Sequence, residues 1–225
     1  MRNRLATGLT TAALLLGGAS LAPQASAAED DEIYWPITYD TVGTTHVGAG
    51  VDADASLGPA TLRIELGLLR GGLRNGALPL PPTSIEFKAL GVVPLRAKVS
   101  FHSASPITGQ LDSGEVNTVT ATASYYVQLS DVKVKVLGVW TPLYVGNRCQ
   151  TADPVRMTLK TPEGTSFDLN TGGPIGGRYT IGKFANCAPL QLPDVFGIGS
   201  LAVNTLVPGS NNTATIHLSN LVFLP

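Results

Sequence analysis

The fold is decided by one stretch in the middle of the chain, Asn117-Thr118-Val119-Thr120-Ala121-Thr122-Ala123-Ser124-Tyr125-Tyr126-Val127-Gln128-Leu129. Apolar, small or aromatic residues occupy the odd positions from Val119 to Leu129, and residues with a hydroxyl or amide side chain occupy the even positions between them. A period of two places successive side chains on opposite faces of a β-strand. The stretch therefore predicts a strand with one face in a core and one in solvent, as in antiparallel sheets.

The same alternation recurs on both sides of this stretch. Further alternating strands are predicted at 62–66, 95–102, 131–136 and 213–219. Turn signals such as Asn75-Gly76 and Pro208-Gly209 separate the strands. Helical periodicity is weak, and the best candidate for a short helical turn, Asp194 to Leu206, contains Gly197 and Gly199. The sequence predicts an all-β fold, an antiparallel β-sandwich or jelly roll in a single domain.

The first 27 residues have the features of an export signal. A basic start, Met1-Arg2-Asn3-Arg4, precedes an uncharged apolar run from Leu5 to Leu21, and Ala25-Ser26-Ala27 has the small residues that a signal peptidase requires. We therefore expect residues 1–27 to be a cleaved signal peptide and residues 28–225 to be a secreted domain. No later apolar run reaches the roughly 18 residues of a spanning helix, so no transmembrane segment is expected in the mature chain. The expected location is extracellular, with non-covalent retention at the cell envelope as an open alternative.

The chain has two cysteines, Cys149 and Cys187. An even number of cysteines in an exported protein predicts a disulfide bond. The bond would close a loop of about 38 residues and stabilise the fold by about 4 kcal/mol in the chain-entropy model.

Charge and motif content argue against several classes of function. The chain carries 15 basic and 16 acidic residues and has a net charge of −1, without a basic block after the signal, so nucleic acid is not an expected partner. No Gly-x-Ser-x-Gly string is present, and the chain has three histidines. Strand parity places His102 and His217 on solvent faces, whereas His46 has no assigned face. We predict no catalytic residue, no cofactor and no metal site, and we expect a protein that is not an enzyme.

Two acidic pairs keep other chemistries open. Glu65 and Glu86 lie on polar strand faces, where a glycosidase would place its two carboxylates. Asp52 and Asp54 begin like a calcium loop, but Leu57 and Arg63 replace the glycine and the glutamate that such a loop needs at its sixth and twelfth positions. A looser oxygen site at Asp52 and Asp54 is the alternative that stays open.

Several short phrases resemble those of a group of proteins. The phrases are Leu57-Gly58-Pro59, Leu80-Pro81-Pro82-Thr83, Gly91-Val92-Val93-Pro94, Pro106-Ile107-Thr108-Gly109, Asn147-Arg148-Cys149-Gln150-Thr151, Phe184-Ala185-Asn186-Cys187 and Val207-Pro208-Gly209. They resemble secreted, β-rich, two-cysteine proteins of actinobacteria, which are largely uncharacterised. The resemblance implies export and a disulfide bond, and it implies no catalytic residue.

These observations predict an exported, non-catalytic binding or structural protein of the cell envelope or extracellular space. The candidate binding face consists of the polar positions of the central strand: Thr120, Thr122, Ser124, Tyr126 and Gln128. The expected partners are an envelope glycan or a lipid. A carrier that holds an apolar ligand between two sheets and a secreted glycan hydrolase are the alternatives.

Export and cysteine pairing give a first prediction. The exported chain should begin at Ala28 and contain no free thiol. Intact-mass measurement before and after reduction, with an alkylating reagent present, tests both parts. Alkylation of either cysteine without reductant would contradict the pairing, and retention of residues before Ala28 would contradict the cleavage site.

Overall fold

The alternating stretches fold as strands in a computed structural model, which describes residues 32–48 and 50–225. The strands are β1 (Tyr34–Val47), β2 (Ala53–Gly67), β3 (Gly72–Ala77), β4 (Thr83–Ala89), β5 (Val93–Asp112), β6 (Thr118–Val136), β7 (Val139–Pro142), β8 (Gln150–Thr151), β9 (Val155–Lys160), β10 (Gly173–Ile181), β11 (Phe184–Ala185), β12 (Leu190–Gln191), β13 (Ser200–Leu201) and β14 (Gly209–Phe223). The described ranges contain no α-helix. The candidate helical segment holds two single 3-10 turns, Asp194–Phe196 and Val203–Thr205. The predicted signal peptide lies outside the described residues, as do residues 28–31.

Twelve of the strands form one antiparallel sheet that closes on itself. Its neighbours run in the order β6-β9-β10-β14-β1-β2-β3-β5, and β5 pairs again with β6. The β5–β6 register extends from Leu95 opposite Val134 to Asp112 opposite Thr118. The two layers that enclose the core are therefore halves of one continuous sheet. The strands β12 and β13 form a separate pair.

The inward faces of the strands fill the space that this closed sheet encloses. Leu95 and Val134 are fully buried, and Ile37 and Phe167 are nearly so. Two apolar cavities of about 60 Å³ each lie between these side chains. Cavities of this volume are too small for an acyl chain, since a cavity that binds benzene measures about 150 Å³.

The long strand β6 contains a bulge that reverses which of its positions face the core. Leu129 is buried at an odd position, whereas Val132 and Val134 are buried at even positions. Between them the register with β5 shifts, and Asp131 takes a left-handed backbone conformation with φ of 47°. The extra residue lets both halves of β6 keep their apolar side chains inside.

The predicted disulfide bond is confirmed: Cys149 is joined to Cys187. Cys149 is completely buried and immediately precedes β8, and Cys187 follows β11, the strand that pairs with β8. The carbonyl oxygen of Cys149 also accepts a hydrogen bond from the backbone N–H of Leu129 at 2.9 Å. The disulfide bond therefore fastens the β8–β11 strand pair, and the backbone hydrogen bond attaches this pair to β6.

The predicted fold class is confirmed as all-β, antiparallel and single-domain. Residues Glu32–Pro225 form one unit.

Sheet closure depends on close backbone approach at Gly109 of β5. A Cβ atom at this position would collide with the backbone carbonyl oxygen of Thr120 on β6 and would lie 2.9 Å from the Cα atom of Ala121. We expect Gly109→Ala to lower the free energy of unfolding by about 1–3 kcal/mol, because the added methyl group forces the two strands apart. Urea titration followed by fluorescence measures this difference. The matched control is Gly182→Ala, where no atom lies within 4 Å of the added Cβ. Equal stability of the two variants would contradict the argument.

Candidate functional site

The five candidate residues lie on one outward face of β6. Thr120, Thr122, Tyr126 and Gln128 are half-buried, as expected for side chains on a solvated sheet face. Ser124 differs from them because only 8 % of it is exposed, between the register neighbours Ser105 and Arg156. The structure therefore leaves four of the five side chains accessible.

Neighbouring strands extend this face with more polar side chains. Nine residues lie opposite the five candidate residues of β6. They are Ser100, His102, Ser105, Thr108 and Gln110 on β5, Arg156, Thr158 and Lys160 on β9, and Gln150 on β8. We call these nine residues and the five on β6 the polar face. Hydroxyl and amide groups both donate and accept hydrogen bonds, so the polar face suits a ligand that is itself rich in hydroxyl groups.

Two hydrogen bonds organise the polar face. The hydroxyl oxygens of Thr122 and Thr158 lie 3.2 Å apart. The ring Nε2 of His102 lies 2.8 Å from the side-chain oxygen of Gln128. Within the described part of the chain, the Tyr126 hydroxyl has no protein partner, so it can bond to a ligand without breaking an internal bond.

The three histidines do not form a nucleophilic site. His102 and His217 are exposed, which confirms the orientation predicted from strand parity. His46 is held between two carboxylates: its Nδ1 lies 3.0 Å from Asp54 and its Nε2 lies 3.5 Å from Asp52. A catalytic triad places a hydroxyl or thiol at the second ring nitrogen. In the described residues no histidine is hydrogen-bonded to a serine, threonine or cysteine side chain.

The two glutamates of the glycosidase alternative are each engaged by an arginine on a neighbouring strand. Arg74 bonds to Glu65 at 2.8 Å, and Arg96 binds Glu86 in the same way. Hydrogen bonds from Arg74 and Asn75 lower the pKa of the Glu65 carboxyl. A glycosidase acid needs the opposite shift, since it must hold a proton near neutral pH. This environment therefore gives Glu65 no support as a general acid.

One open cleft lies at the end of the sheet, between the β1–β2 turn and β4. It measures about 540 Å³, and its charged lining groups are Asp52, Glu86 and Lys88. Nowhere in residues 32–48 and 50–225 do three or more histidine, cysteine or acidic side chains gather in a way that could hold a metal ion. The same ranges contain no helix that is long and apolar enough to cross a membrane.

Comparison with known proteins finds no relative of this chain. No protein-family model, no curated protein and no solved structure matches the chain. The resemblance to actinobacterial two-cysteine proteins therefore stays a prediction.

Sequence reasoning missed the residues that accompany β6 on the polar face. The stretch 117–129 identifies its own outward positions, but it does not show that Thr158 and His102 lie beside them. It also missed two exposed leucines, Leu90 and Leu137, at hairpin turns. The available signal was a leucine directly followed by glycine between two alternating stretches, at Leu90-Gly91 and at Leu137-Gly138.

Three tyrosines are the buried titratable groups of the core. Burial raises the pKa of Tyr39 well above its ordinary value, raises the pKa of Tyr125 to about 12 and raises the pKa of Tyr179 as well. The Tyr125 hydroxyl donates to the backbone carbonyl oxygen of Leu78 at 2.9 Å, which requires the protonated form.

These tyrosines predict a loss of stability in alkali. Folding raises the pKa of each tyrosine. Its contribution to the free energy of unfolding is therefore complete below the unfolded pKa of about 10, and it is lost as the pH rises through the folded pKa. For Tyr125 the loss of unfolding free energy between pH 10 and pH 12 should reach about 3 kcal/mol.

Tyr125→Phe should lower the free energy of unfolding by about 1 kcal/mol at pH 7 through the lost hydrogen bond. It should also reduce the slope with which stability falls above pH 10. Urea titrations from pH 7 to pH 12 measure both effects. The control is Tyr144→Phe, at an exposed position, and an unchanged slope in Tyr125→Phe would refute the assignment.

Proposed function

We propose that this chain is an exported, non-catalytic binding protein of the cell envelope or extracellular space, and that its ligand is an envelope glycan. The observation that carries the proposal is the polar face, where the outward positions of β5, β6 and β9 meet in register. A long polysaccharide presents rows of hydroxyl groups, and a broad face with hydroxyl and amide side chains can bond to several of them at once.

Tyr126 and Gln128 are the residues that should contribute most. The Tyr126 ring is the aromatic surface among the five candidate residues, and a partly exposed ring adds apolar contact to a polar site. Gln128 is positioned by its contact with His102 at 2.8 Å, so its side chain is ordered before a ligand arrives.

Neither alternative function is supported by a specific observation. A lipid carrier needs an interior space, and the two interior cavities measure about 60 Å³ each. A glycan hydrolase needs one carboxyl that keeps its proton, and the pKa of Glu65 is shifted in the other direction.

Co-sedimentation with isolated cell-wall polysaccharide tests the proposal. The secreted chain should be retained, and Tyr126→Ala combined with Gln128→Ala should weaken retention by roughly tenfold, because an aromatic contact and hydrogen bonds are lost together. The matched control is Thr213→Ala with Thr215→Ala, which removes two exposed hydroxyls from β14, outside the polar face. Equal retention of the test variant and the wild type would contradict the proposed site. Release of soluble sugar that depends on Glu65 or Glu86 would contradict the non-catalytic role.

A further inference from the structure

Two hairpin turns present apolar side chains to solvent at one end of the sheet. The first turn joins β4 to β5 and exposes Leu90 and Val92; the second joins β6 to β7 and exposes Leu137 and Val139. All four residues are more than half exposed, and Leu137 is 97 % exposed. The residues directly beneath the first turn, Ala89 and Val93, are completely buried. We call these two turns the apolar tips.

Strand register places the apolar tips side by side. Ala89 pairs with Val93 beneath the first tip, and Val136 pairs with Val139 beneath the second. Leu95 of β5 lies opposite Val134 of β6, so the start of β5 and the end of β6 reach the same edge of the sheet. The tips are therefore neighbouring hairpins of the meander β4-β5-β6-β7.

Both tips use a leucine where the backbone disfavours it. Leu90 has φ of 51° and Leu137 has φ of 46°, and each is followed by a glycine with positive φ. Left-handed turn positions normally hold asparagine, aspartate or glycine, because a longer side chain is strained there. Neither local conformation nor core packing explains a leucine at these two exposed positions.

The surface beneath the tips carries an excess of positive charge. Its cations are Lys88, Arg96, Lys98, Lys133 and Lys135, and its carboxylates are Glu86, Asp131 and, across the adjoining cleft, Asp52. Arg96 is paired with Glu86, and Lys133 lies 3.2 Å from Asp131. Lys88 and Lys98 form no ion pair in the part of the chain that the structure describes. This local excess contrasts with a net charge of −1 for the whole chain.

An aromatic side chain lies at the level of the cations nearest to the apolar tips. Trp140 follows the second tip directly and pairs with Lys135. The Arg96 guanidinium lies 4.5 Å above the Trp140 ring, and the Lys135 ammonium lies 5.7 Å from it. From the edge inward, the aliphatic side chains come first, and Trp140 follows at the same level as Lys135. This order matches a hydrocarbon layer followed by an interface that holds both aromatic rings and anionic headgroups.

We propose that the apolar tips dock this protein on an anionic lipid bilayer, with Leu90, Val92, Leu137 and Val139 in the outer hydrocarbon and the lysines at the headgroups. This inference goes beyond the proposed glycan binding, because it assigns a second surface and a second partner. Lysine stems extend along the apolar surface while their ammonium groups stay in the headgroup layer. Two protruding turns can insert into a fluid bilayer without a preformed pocket. A folded protein partner would need a pocket of matching shape to bind them.

Vesicle co-sedimentation tests the proposal on the full exported chain. The chain should bind vesicles that contain phosphatidylglycerol, and should bind pure phosphatidylcholine vesicles much less, with the difference reduced by high salt. Leu90→Asn combined with Leu137→Asn should weaken binding by more than about tenfold. The same variant should melt at or above the wild-type temperature, since asparagine tolerates positive φ. Lys88→Ser and Lys135→Ser should each weaken binding about fivefold.

Three controls test whether the apolar tips themselves contact the lipid. Val116→Asn removes an exposed apolar residue from the β5–β6 turn at the other end of the same strands, beside Asp112 and Glu115, and should leave binding unchanged. Brominated lipid should quench Trp140 in a Trp35→Phe background, and should not quench Trp35 in a Trp140→Phe background. The tip variants should keep polysaccharide retention, and the Tyr126 and Gln128 variant should keep vesicle binding, so either proposal can fail alone.

Three results would overturn the inference. The first is equal binding of the leucine double variant and the wild type to anionic vesicles. The second is quenching of Trp35 in place of Trp140. The third is an absence of vesicle binding together with a dimer, measured by sedimentation velocity, that the leucine double variant abolishes; that result would assign the apolar tips to a second copy of the chain.

Discussion

The pairing of β5 with β6 is the constraint on which the rest of this structure depends. These are the longest strands, with 20 and 19 residues, and their pairing joins the two ends of the sheet order. Without this contact, the strand series from β6 through β9 and β3 to β5 would be an open sheet, and its apolar face would lack an opposing layer. Closure therefore explains why the inward positions of the ring are predominantly apolar and why small residues such as Gly109 are needed where backbones approach closely.

The same two strands also explain where the functional surfaces lie. Over the first part of β6 the flanking strand is β9, and the matching part of β5 is flanked by β3. Beyond these contacts β5 and β6 continue as a pair, with β4 on one side and β7 and β8 on the other. The part of the β5–β6 pair that continues past β9 and β3 leads to the apolar tips. The outward sides of the same two strands belong to the polar face. The apolar tips are therefore a consequence of strands that are longer than closure requires, whereas the polar face begins on the closed part of the ring, where β6 pairs with β9.

Much of this architecture could be predicted from local pattern, because alternation is a property of single strands. The change of parity between Leu129 and Val132 is visible in the sequence, and it corresponds to the bulge at Asp131. The pairing of Cys149 with Cys187 followed from an even count in an exported chain. Sheet closure could not be predicted, because the partner of each strand depends on contacts distant in sequence. For the same reason the sequence identifies one strand of the polar face and not its neighbours, and it does not show that Leu90 and Leu137 lie at one edge.

The two proposed surfaces are compatible in one orientation of the molecule. His102, at the Gln128 contact on the polar face, lies nine residues along β5 from Val93 at the base of the first tip, a distance of about 30 Å at the usual strand rise. The headgroup layer on each side of a bilayer is only about 5–8 Å thick. Docking by the tips therefore holds the far part of the polar face beyond the headgroups, where a glycan layer next to a membrane would be found. Strand length is then the quantity that relates the two sites: a shorter β5–β6 pair would still close the sheet, but it would leave the polar face among the lipid headgroups.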